Sequence, residues 1–109
     1  MIKKFDFLII GSGVAGMSYA LKVSQNSNYS VALVCKTTLE ESNTSKAQGG
    51  IASVTDLNVD NFEKHIQDTM IAGDFISDPA SVKQVVMGGP DGIRDLVKWG
   101  VNFDKKENG

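Results

Sequence analysis

FDFLIIGSGVAGMSYAL, residues 5–21, joins an apolar run to a glycine-rich turn and then to a helical pattern. Phe7, Leu8, Ile9 and Ile10 are consecutive apolar residues, the composition of a strand buried on both faces of a parallel sheet. Gly11, Ser12, Gly13, Val14, Ala15 and Gly16 follow as G-x-G-x-x-G, and residues 17–23 read as a helix. Strand, glycine turn and helix in this order form a cradle for a pyrophosphate. The first glycine allows a sharp exit from the strand. The second lets the phosphates meet the backbone, and the third lets the helix lie close to the strand. Free N–H groups and the positive end of the helix dipole then face the anion.

Downstream, a polar turn at residues 25–30 leads to VALVC, residues 31–35, which reads as a second parallel strand. The chain thus begins with a β-α-β unit of the Rossmann-like α/β class. The simplest dinucleotide pattern ends its second strand with Asp or Glu, to bind ribose hydroxyls. Here that place holds Cys35 and then Lys36, and Lys36 is a candidate contact for the phosphate or adenosine part of a cofactor. Residues 37–52, TTLEESNTSKAQGGIA, are too polar for a core element. Ser42, Asn43, Thr44 and Ser45 bring short hydrogen-bonding side chains, and Gly49 with Gly50 permits close backbone approach to a flat ligand.

These two stretches carry a family resemblance. GSGVAGMSYAL followed by SNTSKAQGGIA resembles the flavoproteins of the succinate dehydrogenase and fumarate reductase family, and within it the L-aspartate oxidases. The likeness continues through HIQDTMIAGDFISD and WGVNFDKK, so it spans nearly the whole chain. It implies an extended FAD, with the turn from Gly11 to Gly16 on the pyrophosphate and Lys36 on the adenosine side. Asn43, Thr44, Ser45, Lys46, Ala47, Gln48, Gly49 and Gly50 would lie near the flavin. The membrane-bound members place a flavin-linked histidine where this chain has Asn43. An amide has no ring nitrogen for that bond, so the FAD is expected to be noncovalent. The implied chemistry is oxidation of L-aspartate to iminoaspartate on the quinolinate branch of NAD biosynthesis. Oxygen or fumarate would be the electron acceptor and quinolinate synthase a partner. Rival readings are a soluble fumarate reductase or related dicarboxylate flavoprotein, an NAD(P)-binding module in which Lys36 meets a 2′-phosphate, and a partly folded fragment.

Composition agrees with a globular α/β chain of one domain at most: 109 residues, 41% hydrophobic and 22% charged. One β-α-β unit is less than a complete doubly wound domain. The chain therefore reads as the N-terminal part of an FAD-binding domain, with catalytic groups and a substrate-capping domain lying beyond it and no catalytic residue within it. A net charge of −2 offers no basic field for nucleic acid or anionic membrane. A single cysteine excludes an internal disulfide and suits a reducing cytoplasm. The apolar run after Lys3 and Lys4 stops at Gly11, too short for a signal peptide core or a spanning helix. No Cys/His cluster suggests a metal.

The rest is helical in pattern. Asp60 with Glu63 resembles a capping box for a helix through Phe62, Ile66 and Met70, ended by Gly73. Asp78 and Pro79 open a second helix, expected to run to about Val86 and to break at Gly88 and Gly89. Pro90 then opens a third, stopped by Gly100, with Trp99 expected in the core. His65, the one histidine, reads as a packing residue.

Overall fold

The structure is a computed structural model and describes residues 1–104. The chain divides into two compact units, Met1–Gly49 and the residues from Gly50 onward. Strand β1 (Phe7–Ile10), helix α1 (Val14–Ser24) and strand β2 (Val31–Val34) make up the ordered part of the first unit. The strands pair in parallel, Phe7 opposite Val31 and Ile10 opposite Val34, as a β-α-β unit requires. The ladder continues one step past β1, where the Gly11 N–H donates to the Val34 carbonyl at 2.8 Å.

The start of the sheet is fixed by a pair of short polar residues. Asp6 and Ser30 each stand one residue ahead of a strand. The Asp6 carboxylate accepts from the Ser30 N–H at 2.7 Å and from the Ser30 hydroxyl at 2.6 Å. In return the Asp6 N–H donates to Ser30 Oγ at 3.1 Å and to the Ser30 carbonyl at 3.0 Å. Register is set here by hydrogen bonds rather than by packing alone. Beside this clamp the Phe7 ring meets Tyr29 edge-on at 5.1 Å and Tyr19 of α1 at 6.2 Å, the geometry aromatic quadrupoles favour.

Among the described residues, one face of β1 is covered and the other is not. Ile9 is buried, whereas Leu8 and Ile10 are 64% and 83% exposed. Within this chain the expected burial of both faces is met on one face alone. Successive side chains point to opposite faces, and among the described residues α1 packs on Ile9's side alone.

In the second unit, helices α2 (Phe62–Ala72) and α3 (Pro79–Lys98) pack together, and Val54, Val82 and Val86 are its buried apolar residues. The capping residue of α2 is Asn61, one later than the sequence suggested. Its side chain accepts from the Lys64 N–H at 2.7 Å, while Asp60 bonds the Asn61 N–H at 2.8 Å. Gly73 ends α2 as expected, and the chain turns on Asp74 and Phe75, both at positive φ (51° and 57°). The Phe75 N–H reaches back to the Met70 carbonyl at 2.9 Å, and the Asp74 N–H to that of Ile71 at 2.9 Å, which closes the helix end. Asp78 caps α3 through the Ser81 N–H at 2.8 Å, with Pro79 in the first turn, as the sequence indicated.

The expected break at Gly88 and Gly89 does not occur. Helix α3 runs through Gly88, Gly89 and Pro90 to Lys98. Its inward stripe, Val82, Val86, Gly89, Ile93 and Leu96, keeps helical spacing across the suspected break, so continued burial outweighs the bond lost at Pro90. Gly100, at φ 98°, then stops it: the Val101 N–H meets the Leu96 carbonyl at 3.0 Å and the Gly100 N–H that of Val97 at 3.0 Å. Trp99 is half-buried at this end rather than in the core. No helix among the described residues is long and apolar enough to cross a membrane.

Candidate functional site

The glycine turn is built as its sequence demands. Gly11 sits at φ 111°, a conformation that a side chain would strain. A Cβ on Gly16 would lie 2.0 Å from the Gly11 carbonyl oxygen and 3.4 Å from Ile9 Cγ2, so α1 can approach β1 this closely only with glycine there. Gly13 is the N-cap of α1 and offers no side-chain cap. The helix begins at Val14, three residues before the sequence placed it, so Val14, Ala15 and Gly16 form its first turn.

That first turn leaves backbone donors unpaired. It contains no acidic residue. Among the described residues, no acceptor meets the N–H groups of Gly13, Ala15 or Gly16. Ser12 is buried, and among the described residues no hydrogen bond engages its hydroxyl. Among the described residues a Cβ on Gly13 would meet Thr44 Oγ1 alone, at 3.4 Å, so the space beside Gly13 is otherwise open. Unpaired donors around a helix N-terminus with open space before them fit the pyrophosphate of a dinucleotide.

The second motif reaches this turn through one residue. The Val14 N–H donates to Thr44 Oγ1 at 3.0 Å, across thirty residues of sequence. Residues 42–47 are themselves a bonded turn. The Ser42 N–H donates to Ser45 Oγ at 3.2 Å, the Ser45 N–H to Ser42 Oγ at 3.1 Å, and the Ser45 hydroxyl to the Ser42 carbonyl at 2.8 Å. Asn43, Ala47, Gln48 and Gly49 are exposed, and among the described residues no hydrogen bond joins them to the glycine turn. Lys46 is ion-paired with Glu41, so its charge is engaged locally. Gly50 begins the second unit. Lys36 stands exposed two residues beyond Val34, the hydrogen-bond partner of Gly11, and makes no ion pair among the described residues.

Sequence reasoning missed the Thr44–Val14 bond and the Asp6–Ser30 clamp. The clamp had a signal, since Asp6 and Ser30 hold equivalent places before two paired strands; the Thr44 bond had none. The second unit contains a groove of about 520 Å³ lined by Ile51, His65, Thr69, Asp78, Val82 and Val86 among others. His65 lies within it as a half-buried residue whose carbonyl accepts from the Thr69 hydroxyl at 2.7 Å. None of the sequence-derived site residues lines this groove. No cluster of metal-ligating side chains exists among the described residues.

Residues 6–109 match the FAD binding domain family. The chain is 45% identical over 107 residues to the chloroplastic L-aspartate oxidase of Oryza sativa subsp. japonica, covering 98% of this chain and 16% of that protein. It is 44% identical over 104 residues to the L-aspartate oxidase of Acinetobacter baylyi, covering 95% and 19%. Among solved structures, the E. coli quinol fumarate reductase subunit FrdA superposes with a TM-score of 0.86 at 33% identity, over 96% of this chain and 18% of that one. The Mycobacterium smegmatis Sdh1 complex gives 0.85 at 27% identity over the same shares. This chain thus spans less than a fifth of the length of these relatives. FAD is the cofactor these matches imply, and the residues of the glycine turn fit its pyrophosphate. With its two motifs, its β-α-β turn and a match running from residue 6 onward, the chain belongs to the FAD binding domain family.

Proposed function

We propose that this chain is the N-terminal, FAD-holding part of an L-aspartate oxidase acting on the quinolinate branch of NAD biosynthesis. The observation that carries the reading is the 44–45% identity to L-aspartate oxidases over nearly the whole chain. Ser12 and the N–H groups of Gly13, Ala15 and Gly16 hold the pyrophosphate, and Lys36 lies toward the adenosine. Residues 43–50 border the flavin, which Asn43 leaves noncovalent. When bound, FAD supplies the two-electron oxidant: a hydride leaves the α-carbon of L-aspartate and a proton leaves its amine, giving iminoaspartate. This chain's own contribution is to bind and orient the cofactor. The groups that clamp the substrate carboxylates belong to the remainder of a doubly wound domain and a capping domain. That remainder covers the exposed face of Leu8 and Ile10.

The protein works in the cytoplasm, passes electrons to oxygen or fumarate, and hands its product to quinolinate synthase. A second reading, a soluble fumarate reductase, draws support from the likeness to FrdA. Anaerobic mixing of the complete, FAD-loaded protein with L-aspartate or with succinate separates the two. Bleaching of the flavin band by L-aspartate supports the first reading. Bleaching by succinate alone replaces it with the second.

A further inference from the structure

We propose that Thr44 is a positioning residue: its hydroxyl straps the flavin-side loop to the pyrophosphate turn and is thereby withheld from the cofactor. This rests on the FAD reading above. Thr44 Oγ1 accepts from the Val14 N–H at 3.0 Å, and Val14 opens α1. Of the N–H groups of Gly13, Val14, Ala15 and Gly16, that of Val14 is the one occupied among the described residues, which leaves the other three for the anion. Thr44 Oγ1 also lies 3.4 Å from where a Cβ on Gly13 would stand, so the strap crosses the turn at contact distance.

The strap holds more than one residue. The reciprocal Ser42–Ser45 bonds, with Lys46 N–H to the Asn43 carbonyl at 3.2 Å and Ala47 N–H to the Thr44 carbonyl at 3.2 Å, make residues 42–47 one rigid turn. A single hydroxyl therefore fixes where residues 43–50 begin relative to α1. Holding that loop in place before the ligand arrives spares the ordering cost of closing it. Only a ligand that uses both the turn and the loop gains from this. FAD does, whereas ADP, which ends at the pyrophosphate, does not.

The test uses the complete protein stripped of flavin, with Thr44→Val and Thr44→Ser variants. Loss of one net hydrogen bond should weaken FAD binding in Thr44→Val by roughly fivefold, with ADP affinity unchanged within about twofold. Thr44→Ser, which keeps the acceptor, should bind FAD like the parent. Equal weakening of FAD and ADP would mean that Thr44 touches the phosphates directly and would overturn the proposal. Unaltered FAD affinity in Thr44→Val would overturn it as well. Amide exchange in the unsubstituted apoprotein gives a reading free of any folding defect. Val14 should be protected while Ala15 and Gly16 exchange quickly, and equal exchange at the three refutes the strap. Absence of FAD binding by the parent protein would instead refute the functional reading, leaving the exchange result to judge the strap.

Discussion

Replacing Gly16 by alanine should unseat α1 from β1. The new Cβ would stand 2.0 Å from the Gly11 carbonyl oxygen and 3.1 Å from its carbon. Non-bonded heavy atoms settle near about 3.5 Å, so helix and turn must part by roughly 1.5 Å. The atom struck belongs to the backbone and cannot rotate away. Ile9 Cγ2, 3.4 Å from the same point, sits on the buried face that the separation would open. A gap of that size forfeits about half or more of the dispersion at the contact, and overpacking of this kind costs about 3 kcal/mol. Alanine's better helix propensity returns about 1 kcal/mol, so the clash wins by about 2 kcal/mol. Urea unfolding of the apoprotein followed by circular dichroism should show the midpoint falling by roughly 1 M. Gly88→Ala is the control, because nothing stands within 4 Å of its Cβ; it should gain about 1 kcal/mol. A Gly16→Ala protein as stable as its parent would refute the argument.

In α3, Gly89→Ala should gain less than Gly88→Ala, because its Cβ would come 2.9 Å from the buried Ser53 hydroxyl; equal gains in thermal melts would contradict this. The Ser30 hydroxyl beside Asp6 holds that carboxyl below its ordinary value of 3.8. Its stabilising effect is therefore full above about pH 4 and is lost as pH falls through the lowered folded value. Asp6→Asn should lose less stability than the parent between about pH 4 and pH 2 in acid titrations of the urea midpoint, and parallel curves would refute it. Unfolding the flavin-loaded protein in acid or detergent should release yellow colour into the small-molecule fraction, because the Asn43 amide can only hydrogen-bond. Flavin fluorescence that stays with the protein band would contradict the noncovalent reading.

Local chemistry was legible in the sequence; partnership across distance was not. The four residues of β1 and the glycine turn follow from an apolar run meeting G-x-G-x-x-G, and the parallel pairing follows from the helix between two such runs. The start of α1 lies three residues before the expected one because Gly13 gives no side-chain cap; the partner of the Val14 N–H is Thr44, thirty residues on. Helix α3 looks like two helices in the sequence because Gly88, Gly89 and Pro90 each disfavour helix locally, while the stripe from Val82 to Leu96 that overrides them is a property of packing. Asp74 and Phe75 at positive φ carried no signal, since neither is the glycine usual in that conformation. For the candidate site, residue types and spacing point to the turn and the loop. They could not show that Thr44 joins them or that Lys46 turns to Glu41.

The central claim, that the Gly11–Gly16 turn holds the pyrophosphate of FAD, is tested most directly by titrating FAD into the complete apoprotein and its Gly13→Val variant. Valine at Gly13 would fill the open space before α1, where a smaller Cβ already comes 3.4 Å from Thr44 Oγ1. The account predicts tight, stoichiometric binding that quenches flavin fluorescence in the parent. It predicts a loss of about a hundredfold or more in the variant, with the circular dichroism spectrum preserved. FAD bound equally by a folded Gly13→Val protein would contradict it.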